Sequence, residues 1–112
     1  MAQNKEQYIR NHCNKYANRL KRYVGEKMNM ECRVDVYYFP LYDSWAIVSD
    51  LDDHALSDTN GLRLQWEKRY LGQFMNKENI YFCMVDSLPN MVNELHTEWM
   101  LHSSQKEESI QF

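Results

Sequence analysis

The chain has few of the residues that mark several common chemistries. Its three glycines stand at 25, 61 and 72 and never cluster, so no glycine-rich loop can cradle a phosphate, and nucleotide binding by that route is excluded. The three cysteines, Cys13, Cys32 and Cys83, form an odd set without C-x-x-C spacing. That argues against a disulfide framework and a zinc site alike, and a reducing, cytoplasmic setting is expected. No run approaches the ~18 apolar residues that span a bilayer. The first residues, MAQNKEQ, lack the apolar core of a secretory leader, so neither secretion nor membrane insertion is expected. There is no internal repeat and no linker.

The 112 residues are 44% apolar and 26% charged, the composition of one ordinary globular domain. Aromatics reach 13%, and eight of them are tyrosine, a residue that buries area while keeping a polar tip and so suits half-buried sites and contact surfaces. Net charge is only −3, but residues 1–28 carry seven Lys or Arg against Glu6 and Glu26. A basic first segment and an acidic remainder can signal an anionic partner or simply complement each other.

The densest aromatic and acidic runs lie back to back in residues 34–53, VDVYYFPLYDSWAIVSDLDD. Cys32, Val34, Val36 and Tyr38 alternate with Arg33, Asp35, Tyr37 and Phe39, which is the period of a strand. Pro40 cannot donate to a ladder, and Asp43 and Ser44 can bond their own backbone, so the chain should turn at 40–44 and return through 45–51. A β-hairpin is predicted.

Ahead of it, Ile9, Cys13, Tyr16, Leu20 and Val24 recur at steps of three and four, one stripe of an amphipathic helix. Its outer face holds Arg10, Lys15, Asn18, Arg19 and Arg22. After the hairpin, residues 52–61 (DDHALSDTNG) are rich in acid and turn formers and read as a loop. Leu62, Trp66, Tyr70 and Phe74 then fall at steps of four, and a helix over 62–75 accounts for every large apolar residue except Leu64; a strand at 62–67 after the Asn60-Gly61 turn signal is the competing reading. A polar break at 76–79 precedes IYFCMV at 80–85, a continuous apolar run that reads as a central strand covered on both faces. Asp86-Ser87 offers an N-cap, Pro89 suits a first turn, and Leu88, Val92, Leu95 and Trp99 stack along a last helix.

The fold expected is therefore α+β in the order α-β-β-α-β-α, a small, mainly antiparallel sheet with packed helices. Residues 1–102 form one domain and 103–112 a flexible C-terminal tail. Tyr37, Phe39, Ala46, Val48, Tyr81, Cys83 and Val85 would share one sheet face, too apolar to stay wet. Either the helices divide between the faces or a second chain covers the surplus, and a homodimer is expected.

The one cluster resembling an active site is Asp50, Asp52, Asp53 and His54, since carboxylates leaving a sheet together can hold Mg²⁺ or Mn²⁺ for phosphodiester cleavage. Such a nuclease would need a basic residue near the phosphate and a further acid, for which Asp35 and Asp86 are available. An EF-hand fails, because the sixth position from Asp50 is Ala55 and the twelfth is Gly61. His12, His54, His96 and His102 show no metal-ligand pairing. His12 adjoins Cys13, but helix neighbours point about 100° apart and make no dyad. The aromatics Tyr37, Tyr38, Phe39, Tyr42 and Trp45 could stack bases, yet only Arg33 accompanies them and acids outnumber it.

The leading expectation is a small non-catalytic interaction protein without cofactors. An inhibitor, immunity or accessory protein of a phage or mobile element fits the profile. It would hold a protein partner through Tyr37, Phe39, Tyr42, Asp43, Trp45, Asp52 and Asp53. The alternatives are a nucleic-acid-binding accessory protein using Arg10, Lys15, Arg19 and Arg22 as backbone contacts, and a metal nuclease at Asp50, Asp52, Asp53 and His54.

Overall fold

In a computed structural model, which describes residues 5–70 and 80–110 and side chains over 5–69 and 80–102, the first helix, α1, runs Lys5–Lys27. The stripe expected of it is the stripe it buries: Ile9, Cys13, Tyr16, Leu20 and Val24, widened by Ala17. It ends where Asn29 takes a left-handed conformation with φ of 52°, which an asparagine tolerates better than most residues. Met28 and Met30 both donate to the Val24 carbonyl there.

The hairpin forms as β1 (Val34–Phe39) and β2 (Ser44–Ser49), antiparallel, with Tyr37 opposite Ala46 and Tyr38 opposite Trp45. A 3₁₀ turn, Pro40–Tyr42, joins them. Asp43 closes it in the left-handed region at φ 46°, its N–H donating to Pro40 and its carboxylate accepting from the Tyr38 hydroxyl at 3.3 Å. Ser44 Oγ donates to the Tyr42 carbonyl at 3.0 Å.

The acidic stretch expected as a loop is instead a short helix, α2 (Asp53–Asp58). Asp52 is its N-cap, accepting from the Ala55 N–H at 2.8 Å, and the acid at Asp53 suits the positive end of a helix. Thr59 then closes α2 onto the Leu56 carbonyl, and Asn60-Gly61, a turn signal by sequence, begins α3 (Asn60–Tyr70). The helical reading of this region holds: Trp66 is buried, and Leu64 is left 52% exposed. The expected continuation to residue 75 and the polar break at 76–79 lie outside the described residues.

Strand β3 (Ile80–Met84) pairs with β2 in parallel, so the order is β1-β2-β3 and the small sheet is mixed. The central strand is β2, with all six residues buried, and β3 is an edge. An apolar run on a covered edge and one at a sheet's centre have the same composition, which is why 80–85 read as central. Val85 leaves the sheet in a second 3₁₀ turn, Val85–Ser87, and is 51% exposed. The last helix, α4, runs Leu88–Ile110, so its backbone stays helical through 103–110, the stretch expected as a tail.

The protein is thus a single α+β unit in the order α-β-β-α-α-β-α, and its helices divide between the two faces of the sheet. On one face α1, α2 and α3 bury Val34, Trp45, Ile47 and Ile80 with Tyr16 and Trp66. On the other, Met91 and Leu95 of α4 cover Ala46 and Val48, with Phe39, Tyr81 and Cys83 packed alongside. The apolar face that suggested a second copy is therefore covered largely from within, Tyr37 and Val85 excepted. Among the described residues, no helix is long and apolar enough to cross a membrane.

Candidate functional site: an acidic cleft at one corner of the sheet

Helix α4 covers the α4-side face of the sheet incompletely, and the uncovered corner is a cleft of about 640 Å³. It lies past the carboxyl ends of β2 and β3 and beside the start of β1, the end of a parallel strand pair where ligands commonly bind. Four aspartates from four places in the chain line it: Asp35 on β1, Asp50 after β2, Asp52 at the cap of α2, and Asp86 in the turn before α4. Arg33 is the one cation in the lining. Tyr37 and Val85, 42% and 51% exposed, give it an apolar floor and rim.

Two of these carboxylates already have structural work. Asp50 accepts the Arg33 N–H at 2.9 Å and so extends the hairpin beyond its last paired residues, while Asp52 caps α2. Asp35 and Asp86 are exposed and, among the described residues, form no ion pair. The N-terminal turns of α2 and α4 open beside the cleft, and their partial positive charge offsets part of the repulsion among the four acids.

The residues singled out by sequence separate. Tyr37 and Asp52 are in the cleft. Asp53 is exposed in the first turn of α2, and His54 is exposed on the same helix. Asp43 sits in the hairpin turn. Tyr42 packs toward α4, its hydroxyl 2.9 Å from His96 Nδ1, with Trp99 edge-on at 6.3 Å between ring centres. Phe39 is half-buried against the same helix. Trp45 is a core residue at 1% exposure, stacked on Tyr38 at 4.5 Å and capped by the Arg10 guanidinium at 5.1 Å. It cannot touch a partner without unfolding the hairpin. The hairpin aromatics therefore form no single docking face. The alternation of the two strands assigns Trp45 to the α1 face, and that signal was present in the sequence.

Asp50 and Asp52 of the metal alternative each accept a backbone N–H, and among the described residues no group of three or more His, Cys, Asp or Glu side chains is arranged to hold an ion. On α1, Lys15, Arg19 and Arg22 are exposed at i, i+4 and i+7 on one stripe. Arg10, five residues before Lys15, turns about 140° from that stripe at ~100° per residue. It pairs instead with Glu6 at 3.9 Å and with the Trp45 ring.

The thiols are poor nucleophiles. Burial pushes Cys13 from an ordinary 9.0 up to about 12, against a small opposing pull from Arg10. Cys83 is raised by burial, and Cys32 by burial and then by the nearby Asp50 carboxylate. His12 is lowered by burial and by Lys15, and its ring sits 4.4 Å edge-on from Tyr8. Sequence alone offers Asp35 and Asp86 as further acids beside Asp50 and Asp52, and the parallel pairing of β2 with β3 is what brings Val85 and Asp86 to the corner where Asp35 stands. The chain matches no protein-family model, no curated protein and no solved structure.

Proposed function

We propose that the protein is a non-catalytic interaction protein that holds a basic segment of a protein partner in the acidic cleft. The observation that carries this reading is the convergence of Asp35, Asp50, Asp52 and Asp86 on one open cleft whose exposed apolar surface includes Tyr37 and Val85. A lysine or arginine suits such a lining at both ends of its side chain. The alkyl stem packs on the tyrosine ring and valine while the charged head meets carboxylates. Complementary charge of this kind also speeds encounter and rejects acidic competitors. The three cysteines are free thiols, which fits a reducing compartment such as the cytoplasm.

Affinity capture from the source cell tests the reading, with the native protein compared against an Asp35→Lys, Asp86→Lys variant. Both positions are exposed, so the variant should fold and should lose the partner. Retention of the same partners by the variant would remove the cleft from the account.

A second reading has its own observation, the stripe Lys15, Arg19 and Arg22 on the outer face of α1. Three such side chains can contact a nucleic-acid backbone, with log affinity falling by roughly 0.9 per contact for each log unit of salt. Retention on a DNA fragment at low salt, lost on Arg19→Ala with Arg22→Ala, is the outcome that supports it.

A further inference from the structure

Among the described residues, the hairpin leaves one edge of the sheet without a neighbouring strand, and that edge runs beside the acidic cleft. Strand β1 pairs with β2 on one side only. The Asp50 N–H donates to the Arg33 carbonyl at 3.2 Å, which makes Arg33 and Asp50 a hydrogen-bonded pair next to the Val34–Ser49 step of the ladder. Such pairs alternate in an antiparallel ladder, so Asp35, Tyr37 and Phe39 also turn their main-chain groups toward β2. Val34, Val36 and Tyr38 turn theirs outward, and among the described residues these groups have no hydrogen-bond partner.

The side chains along the same edge differ by face. Asp35 and Tyr37 line the cleft, whereas Val34, Val36 and Tyr38 lie over the α1 core. A strand added here would meet a carboxylate and a ring on one side and apolar groups on the other. Resting on the reading of the cleft as a site for a basic protein segment, we propose that the segment binds in extended form as a fourth strand on β1. It alternates basic residues, facing Asp35 and Tyr37, with apolar residues opposite Val34, Val36 and Tyr38. Main-chain bonds then supply affinity and the alternating side chains supply selectivity, as in other strand-addition complexes. A second copy of this chain fits less well. Its own β1 would bring Asp35 to a cleft that already holds four carboxylates, and a charge on an edge strand is a usual guard against self-pairing.

The test uses the full chain and a five-residue peptide, acetylated and amidated, of lysine at the odd and valine at the even positions. In the free protein the amide protons of Val34, Val36 and Tyr38 should exchange at least about tenfold faster than those of Asp35 and Tyr37. The peptide should slow the first three by a similar factor and leave the other two unchanged. With the peptide antiparallel to β1, the N–H groups of the valines face β1, so methylating those nitrogens should abolish binding, while methylating the nitrogens of the lysines should not. If the peptide binds, Asp35→Lys abolishes binding, and yet the exchange rates stay put and both methylated peptides bind alike, then strand addition is wrong and the cleft reading survives. If the peptide fails to bind, or binds Asp35→Lys equally well, both fall. A dimer in sedimentation with the same three amides protected in the absence of peptide would assign the edge to a second copy and overturn the proposal.

Discussion

Trp45 and Trp66 on the α1 face are 1% exposed, while Tyr37, across the sheet on the α4 face, is 42% exposed beside four carboxylates. One sheet thus has a face closed by three helices and a face closed by one. On the first, rings pack edge to face, Tyr16 on Phe82 at 5.4 Å and Trp66 on Phe82 at 5.9 Å. On the second, α4 covers Ala46 and Val48 and leaves Arg33, Asp35 and Tyr37 to solvent. Burial on one side can offset the cost of charge crowding on the other. The closed face therefore carries stability and the open corner is free to carry recognition.

Truncating one residue on each face is the sharpest way to break that contrast. Trp45→Ala should cost about 3–5 kcal/mol, because it empties a buried ring site and removes the surface on which Arg10 and Tyr38 stack. Tyr37→Ala, exposed, should cost ~0.5 kcal/mol or less. Urea unfolding of the two variants measures both. Equal costs would mean that the two faces share the load.

Alkaline pH attacks the closed face hardest. Burial pushes Cys13 from 9.0 and Tyr16 from 10.0 up to about 12, so the folded state keeps protons that the unfolded chain has released. Stability from these groups is fully present below pH 9 and is lost as pH rises from 9 through 12. A shift of one unit is worth ~1.4 kcal/mol as an upper bound, so the combined loss is several kcal/mol. Melting temperature against pH should fall from pH 9 onward, and Cys13→Ala should make that fall shallower without moving its onset, since Cys32 and Cys83 are also raised by burial. An unchanged profile in that variant would show that another group sets the alkaline limit.

The closed face was also the legible one. The spacing of Ile9, Cys13, Tyr16, Leu20 and Val24 can be satisfied by one helix face, and all five are buried. The hairpin grouping of Val34, Val36 and Tyr38 follows from a period of two, and the α1 core keeps it. What could not be read is non-local. The β2–β3 pairing joins Trp45 to Ile80 across α2 and α3, and no local pattern states whether a short apolar strand will be the centre or the edge. The cleft inherits that difficulty, since Asp35, Asp52 and Asp86 become neighbours only once β3 is in place. The acidic loop is a different case. Asp52 three residues before Ala55 is a capping position, and turn-former content outweighed it.

Helix α2 lies at the border between the two regions, because Ala55 is buried in the α1-side core while Asp52 lines the cleft. Asp52→Ala should cost roughly 1 kcal/mol through loss of the bond to the Ala55 N–H. Asp52→Asn should recover most of that, since a neutral amide oxygen can cap as well. Thermal unfolding separates the two. If Asn restores stability but not peptide binding, the charge of Asp52 belongs to the cleft and its oxygen to the helix.

The smallest effect is also the most telling about the open corner. Asp35 and Asp86 are exposed and unpaired among the described residues, so each adds repulsion to a cleft that Asp50 and Asp52 already charge. Asp35→Asn with Asp86→Asn should leave stability unchanged or raise it by a few tenths of a kcal/mol, within the ~0.5 kcal/mol expected of surface changes. The same double variant should weaken capture of a basic peptide. Raising salt should mimic the stability gain in the native protein, since a Debye length of about 10 Å at 0.1 M is comparable to the separations across such a cleft. A loss of more than ~1 kcal/mol would show that the two carboxylates hold the fold together. The contrast between a face for stability and a corner for recognition would then fail at the residues on which it most depends.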